Sequence, residues 1–318
     1  MVALSDLQIW AAGGADGGAA AWAALRPGCL TSLRLDRLPS AADLGLSRLQ
    51  ELRGVSLSPD DAAALAGGAP QLRLLAAAPA GDWGGGAPPA LPRVTHASFD
   101  YGAGSEVAFL PRLLPAVRVL CLEPDDASLG LPRLDGLTNL ETLAAGRRLG
   151  AHLEPSRLAA LAALLRLSAL ACCLLLCKIG SLEVLPSLET LHVIVRASEG
   201  PLDAAAALAA AARLPRLRSL ALDAAAGGAE EGAAASSAAL RAFARSPGRL
   251  ARLELFPRLG RTPDVHALAA LPCLSRLGVR VDASEQHDLE RITLEHDSIG
   301  GGLIREPEGV IDLDWVDG

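Results

Sequence analysis

Aliphatic residues recur along this chain in one spacing, L-x-x-L-x-L, with Val, Ile, Ala, Cys or Phe as substitutes. The phrase stands at Leu4-Leu7-Ile9, Leu30-Leu33-Leu35, Leu52-Val55-Leu57, Leu72-Leu75-Ala77, Val94-Ala97-Phe99 and Val117-Leu120-Leu122. It continues at Leu140-Leu143-Ala145, Leu167-Leu170-Cys172, Leu188-Leu191-Val193, Leu217-Leu220-Leu222, Leu250-Leu253-Leu255 and Leu274-Leu277-Val279. Successive phrases start 20 to 33 residues apart. The closing L-x-L alternation puts two apolar side chains on one face of a short strand. Between phrases, Ser40 to Leu52, Pro155 to Leu165, Pro201 to Leu214 and Ser236 to Ala244 are rich in Ala and Leu. Their composition and leading Ser or Pro predict helices.

Several copies share a longer phrase: Leu-Pro-Ala-Val-Arg-Val-Leu-Cys-Leu from Leu114, Leu-Pro-Ser-Leu-Glu-Thr-Leu-His-Val from Leu185 and Leu-Pro-Arg-Leu-Arg-Ser-Leu-Ala-Leu from Leu214. One L-x-x-L-x-L is uninformative, whereas twelve in phase at a period near the roughly 20–29 residues of a leucine-rich repeat carry weight. The chain resembles the leucine-rich-repeat superfamily over nearly its whole length, in the degenerate, Asn-poor style of plant and green-algal members. The resemblance implies an α/β solenoid, a horseshoe with a parallel concave sheet and a helical or irregular convex side. One departure stands out. The family places Asn three residues after the last apolar position, but Asn139 is the only asparagine here and lies elsewhere. Leu38, Asp60, Gly102, Asp125, Arg148 and Arg196 occupy that place. The ladder between repeats is therefore expected to rest on main-chain pairing and water.

The period stretches at Asp223 to Ser237, and Gly81 to Pro89 reads as a flexible turn in place of a helix. After Leu274 it fails: Leu289-Ile292-Leu294 follows 15 residues later, and Val310 to Trp315 alternates like a last strand. A solenoid needs a polar end to stop it stacking on its neighbours. Residues 1–282 are thus expected to form the solenoid and 283–318 a C-terminal cap. Residues 1–6 show neither the basic nor the apolar region of a signal peptide.

Side chains beside the strand leucines point to the other face of the sheet. Those positions read Asp6, Gln8 and Trp10; Ser32, Arg34 and Asp36; Gly54, Ser56 and Ser58; Leu74, Ala76 and Ala78; His96, Ser98 and Asp100. The middle is bland, with Val119, Cys121, Glu123, Thr142, Ala144, Ala169 and Ala171, then Thr190, His192 and Ile194. Polarity returns toward the end. Arg252, Glu254, Phe256, Arg276, Arg280, Arg291 and Glu295 combine arginine, acid and an aromatic, the residue types that anchor protein interfaces. They are the candidate partner-binding residues.

Composition narrows the functions. Net charge is −7, and Lys178 is the only lysine, so no dense basic run is available for nucleic acid. Cys29, Cys121, Cys172, Cys173, Cys177 and Cys273 sit in apolar runs without zinc-site spacing, and read as reduced core thiols of a cytoplasmic protein. Leu158 to Cys177 holds nine leucines and one charge, Arg166. Leucines at about −0.5 kcal/mol each against about +3 kcal/mol for a central Arg make membrane insertion marginal. The repeat phase of Leu167-Leu170-Cys172 favours a water-facing solenoid. His96, Ser98 and Asp100 share one predicted strand, about 6.5 Å apart in succession, beyond the hydrogen-bond reach of a catalytic triad. The remaining histidines lack metal-ligand spacing, and the glycines at 13–18 lack a phosphate-binding lysine.

The expectation is a monomeric, non-catalytic, cofactor-free scaffold that binds a protein. It engages neither nucleic acid nor membrane. Twelve strands offer a concave face roughly 55 Å long. The resemblance also admits the substrate-recognition part of an F-box-type ubiquitin ligase, whose F-box this chain lacks, or a leucine-rich-type GTPase-activating protein. A ciliary or cytoskeletal role is compatible with it, though no residue argues for one.

Overall fold

The computed structural model describes residues 6–8, 30–35, 46–83, 88–102, 107–124, 132–145, 161–173, 182, 184–196, 211, 213–225, 250–257 and 276–279. The chain divides into two compact units, Met1–Leu143 and Ala144–Gly318. In the first unit β1 (Asp6–Gln8), β2 (Ser32–Arg34), β3 (Glu51–Leu57), β4 (Leu74–Pro79), β5 (His96–Tyr101) and β6 (Val119–Pro124) lie side by side in chain order. Every pairing is parallel. The division falls within β7 (Thr142–Ala145). In the second unit β8 (Ala169–Cys173), β9 (Thr190–Arg196), β10 (Ser219–Ala225), β11 (Arg252–Pro257) and β12 (Arg276–Val279) repeat the arrangement, again parallel and in order. For β1 and β12, and for the last residues of β6 and β8 to β11, the backbone alone is described.

Among the described residues one hydrogen-bond device recurs between successive repeats within each unit. The carbonyl just before a strand accepts from two successive amides of the following repeat. Thr31 O takes Gln50 N and Glu51 N at 2.8 and 3.0 Å, and Gln50 O takes Arg73 N and Leu74 N at 2.8 and 3.0 Å. Arg73, Thr95 and Arg118 continue the series to Thr142. In the second unit Ser168, Glu189 and Arg218 do the same. The expected main-chain pairing between repeats is present at the start of these strands. Side chains add to it: Asn139 Nδ2 donates to Pro115 O at 3.2 Å, and Ser187 Oγ to Leu167 O at 2.9 Å.

Ahead of several of the strands the described residues descend in tight turns that place an apolar residue at every third position. Leu137 N donates to Leu134 O and Leu140 N to Leu137 O; Leu164 and Leu167, Leu185 and Leu188, and Leu214 and Leu217 do likewise. Leu134, Leu137, Leu140 and Leu143 are buried together, as are Leu182, Leu185, Leu188 and Leu191 in the second unit. This staircase occupies part of the segments where helices were expected. Glu51 and Leu52, at the end of the first predicted helix, belong to β3, whereas Leu161 and Ala211, inside the second and third predicted helices, are helical, with turns following Leu161. The propensity of Ala and Leu for helix is a weak preference that packing overrides. The other predicted helical stretches lie mostly or wholly outside the described residues.

The third repeat is out of step with its reading from sequence. Leu52 pairs with Leu33 and Leu75, the second apolar position of their phrases, so this repeat starts at Leu49. The register then slips between Leu52 and Val55. Gly54, at φ 75°, takes up the extra residue of the bulge in a left-handed conformation that favours glycine. Leu49, Leu52, Val55 and Leu57 are all fully buried.

Two helices are described over their whole length. α1 (Pro59–Gly68) starts on a capping box, with Asp61 N donating to Ser58 Oγ at 3.2 Å and Ser58 N donating to Asp61 Oδ2 at 2.9 Å. α2 (Leu110–Leu113) is a single turn. Phe109, just before it, stacks on Trp83 at 3.7 Å between ring centroids and meets Phe99 edge-on at 6.4 Å. The Gly-rich stretch from Gly81 therefore contributes a core residue. Gly136 lies so close to α2 that a β-carbon there would stand 2.7 Å from Pro111 Cβ.

Cys121 and Cys172 are buried thiols outside any disulfide. Among the described residues no helix is long and apolar enough to cross a membrane, and residues 169–173 of the leucine-rich stretch form strand β8. The expected cap, 283–318, lies outside the described residues.

Candidate functional site: the outer face of the sheet

Where their side chains are described, the leucines of the phrase face the core, so the residues between them form two rows on the outer face. The first row holds the residue just before the middle leucine. Ser32, Glu51, Leu74, His96, Val119 and Thr142 in the first unit are all partly exposed, as are Ala169, Thr190, Ser219 and Arg252 in the second. The second row holds the residue between the two strand leucines, and its exposure changes along the chain. Arg34, Arg53 and Ala76 are partly exposed, whereas Ser98 is 6% exposed and Cys121 is buried. In the second unit Ala171, His192 and Ala221 are buried. An alternating strand was expected to leave all these positions in water. Much of the second row is therefore closed. One alternate position further along β6, Glu123 is also 6% exposed, with atoms of this chain over its carboxylate.

The chemistry along the open positions is sparse. In the first unit His96 Nδ1 lies 2.9 Å from Thr95 Oγ1. Its pKa is lowered, first by burial and then by the charge of Arg118. Arg118 is exposed and donates to Glu141 at 2.7 Å, and that hydrogen bond and the Glu141 charge raise its own pKa. Ser98 is covered and Asp100 is exposed, so the His-Ser-Asp run of β5 is split between environments. Cys121 Sγ donates to Glu123 Oε1 at 3.7 Å in a buried contact. Among the described residues no group of three His, Cys, Asp or Glu could hold a metal ion.

Of the partner-binding candidates, Arg252 is in the partly exposed first row, directly opposite Ser219 on one side and Arg276 on the other. Glu254 pairs with Ala221 and Gly278, and Phe256 with Asp223. Arg280, Arg291 and Glu295 lie outside the described residues.

Two residues of the outer face were missed from sequence. Glu51 and Arg53 are there because the third repeat starts at Leu49, not Leu52. The available signal was Leu46-x-x-Leu49-x-x-Leu52, the same staircase spacing as in later repeats, with Gly54 marking the bulge.

Consecutive phrases thus pair in parallel, in chain order, with one strand each. The fold is a leucine-rich-repeat solenoid. No protein-family profile matches the chain, and no curated protein does. Among solved structures, a leucine-rich-repeat protein of Leptospira interrogans aligns with 13% identity over 84% of this chain and 74% of its own, at a TM-score of 0.38. That likeness is loose, and the leucine-rich-repeat assignment stands on this chain's own strand register.

Proposed function

We propose that the chain is a non-catalytic, monomeric interaction scaffold that holds a protein partner on the outer face of its sheet. The last strands of the second unit carry the grip. The observation behind this reading is the register of the partly exposed Arg252 opposite Arg276. Two arginines one strand apart, with Glu254 and Phe256 following Arg252 on the same face, suit an acidic or mixed-charge protein surface. Arg280, Arg291 and Glu295 extend the same set along the sequence.

The test is affinity purification of the full chain from its native cells, with quantitative mass spectrometry. Wild type is compared with R252E/R276E and with a charge reversal at an exposed site away from this face, Arg48. Loss of one protein in the double variant alone supports the reading. Unchanged recovery of every protein by the double variant removes it.

A further inference from the structure

The first unit carries a second charged feature, on the flank where the chain descends toward its strands. The residue that precedes each strand lines up from repeat to repeat, because its amide reaches the carbonyl of its counterpart. Arg73 N donates to Gln50 O, Thr95 N to Arg73 O, Arg118 N to Thr95 O and Glu141 N to Arg118 O, each at 2.8 or 2.9 Å. Neighbours in this row are about 4.8 Å apart, which sets Arg73 and Arg118 roughly 10 Å from one another. Arg93 lies in the middle repeat, two residues ahead of Thr95, in the turn closed by Val94 N and Leu91 O. Its Nη1 donates to Gln71 Oε1 of the preceding repeat at 2.9 Å, which orients the guanidinium and leaves its other donors for a ligand.

All three arginines are exposed. Arg118 meets Glu141 at 2.7 Å. Among the described residues no carboxylate forms an ion pair with Arg73 or Arg93. One carboxylate thus stands against three guanidiniums, in a chain of net charge −7. The charge is felt nearby, since Arg118 adds to burial in lowering the pKa of His96. The surroundings narrow the ligand. Among the described residues of this unit the aromatic rings, Trp83, Phe99, Tyr101 and Phe109, are buried, so none is offered to stack on a nucleic-acid base. The large exposed hydrophobics among the described residues, Leu165 and Val184, belong to the second unit, so this flank has no anchor for a bilayer. Exposed Pro70, Pro92 and Pro115, one in each of the same three repeats, give the arginines a rigid apolar border. Guanidiniums pair with carboxylates through two parallel hydrogen bonds. An extended peptide rises about 3.3 Å per residue, so carboxylates three residues apart span the distance from Arg73 to Arg118.

We propose that the flank ahead of β4 to β6 docks an extended acidic segment of a partner protein, in which carboxylates three residues apart meet Arg73 and Arg118 and one between them meets Arg93. The site shares no residue with Arg252 and Arg276, and its failure leaves the reading of those residues untouched.

The probe is a fluorescein-labelled decapeptide of Glu, Gly and Ser, compared with the same peptide carrying Gln for Glu. Anisotropy is measured against the full chain at low and high salt. The Glu peptide is expected to bind and the Gln peptide to bind about tenfold more weakly or worse, with the difference shrinking in high salt. R73E/R93E should lose about tenfold or more, whereas R252E/R276E should stay within about twofold. A116R places one more guanidinium beside Arg93, at a partly exposed position of the next repeat, and should tighten binding about threefold. Misfolding cannot produce that gain. Wild-type binding retained in R73E/R93E, or a Glu peptide that binds no better than its Gln counterpart, overturns the proposal. So does a single-stranded oligonucleotide that displaces the peptide and outbinds it, which would make nucleic acid the occupant.

Discussion

Within the first unit, β2 to β4 and β5 to β6 are built on the same apolar phrase, yet their outer faces differ. Arg34, Arg53 and Ala76 reach water, while Ser98, Cys121 and Glu123 do not. Their inner faces are alike: Leu33, Leu52 and Leu75 are as buried as Ala97, Phe99, Leu120 and Leu122. The phrase therefore governs only the face that packs on the core. What happens on the other face depends on what the rest of the chain lays over it, and a solvent-facing strand position in one repeat is an interior position in the next.

The largest effects should be blind to this difference. Phe99→Ala in the closed half and Leu75→Ala in the open half each remove a fully buried side chain. Costs of about 3–5 and 2–5 kcal/mol are expected, read from urea unfolding. A Leu75→Ala cost under about 1 kcal/mol would mean that the open half has no proper core.

Charge reversal on the outer face should separate the halves. Glu123→Lys places an unmatched cation in a covered site, at a cost of about 3 kcal/mol. Glu51→Lys, partly in water, should stay within about 0.5 kcal/mol. Equal effects at the two positions would show that Glu123 is no better covered than Glu51.

Gly54→Ala forces a β-carbon into a left-handed conformation, 3.4 Å from Leu35 O. A loss of about 1–2 kcal/mol is expected, and the loss should be absent from Gly67→Ala, where no atom lies within 4 Å. Ser58→Ala, which breaks the capping box of α1, should cost about 1 kcal/mol by thermal unfolding.

The smallest effect is a pH dependence at the boundary between the halves. Burial and Arg118 lower the pKa of His96, so the folded chain holds its proton less tightly than the unfolded one. Its stability is fully present above the unfolded value of 6.5 and is lost as pH falls below it toward the lower folded value. His96→Gln should flatten the stability profile on the acidic side of 6.5, and an unchanged slope would show that His96 is as well solvated as a residue of the open half.

Much of the inner architecture was legible in the residues. Leu143-Ala145 and Leu191-Val193 sit where their spacing put them, because a period of two leaves an apolar pair only one buried side. The third repeat was misread because Leu52 satisfies the first position of a false phrase as well as the middle position of the true one. Only pairing with Leu33 and Leu75 separates these, and that misreading hid Glu51 and Arg53. Helix α1 was overlooked although Ser58-Pro59-Asp60-Asp61 spells its start, since the period was sought in leucines and not in caps. Arg252 was placed on the outer face from sequence, and its position opposite Arg276 follows from the same phase.

By itself, then, the amino-acid sequence determined that consecutive phrases form parallel strands in chain order with their leucines turned inward. Burial of aliphatic side chains is local, periodic and indifferent to distant segments. The tertiary structure alone decided where the third repeat begins, that Arg34 crosses Gly54 beside Arg53, and that Ser98 and Glu123 lie under cover. Each of these depends on which atoms from elsewhere in the chain come to rest against a strand, and no spacing within the strand encodes that.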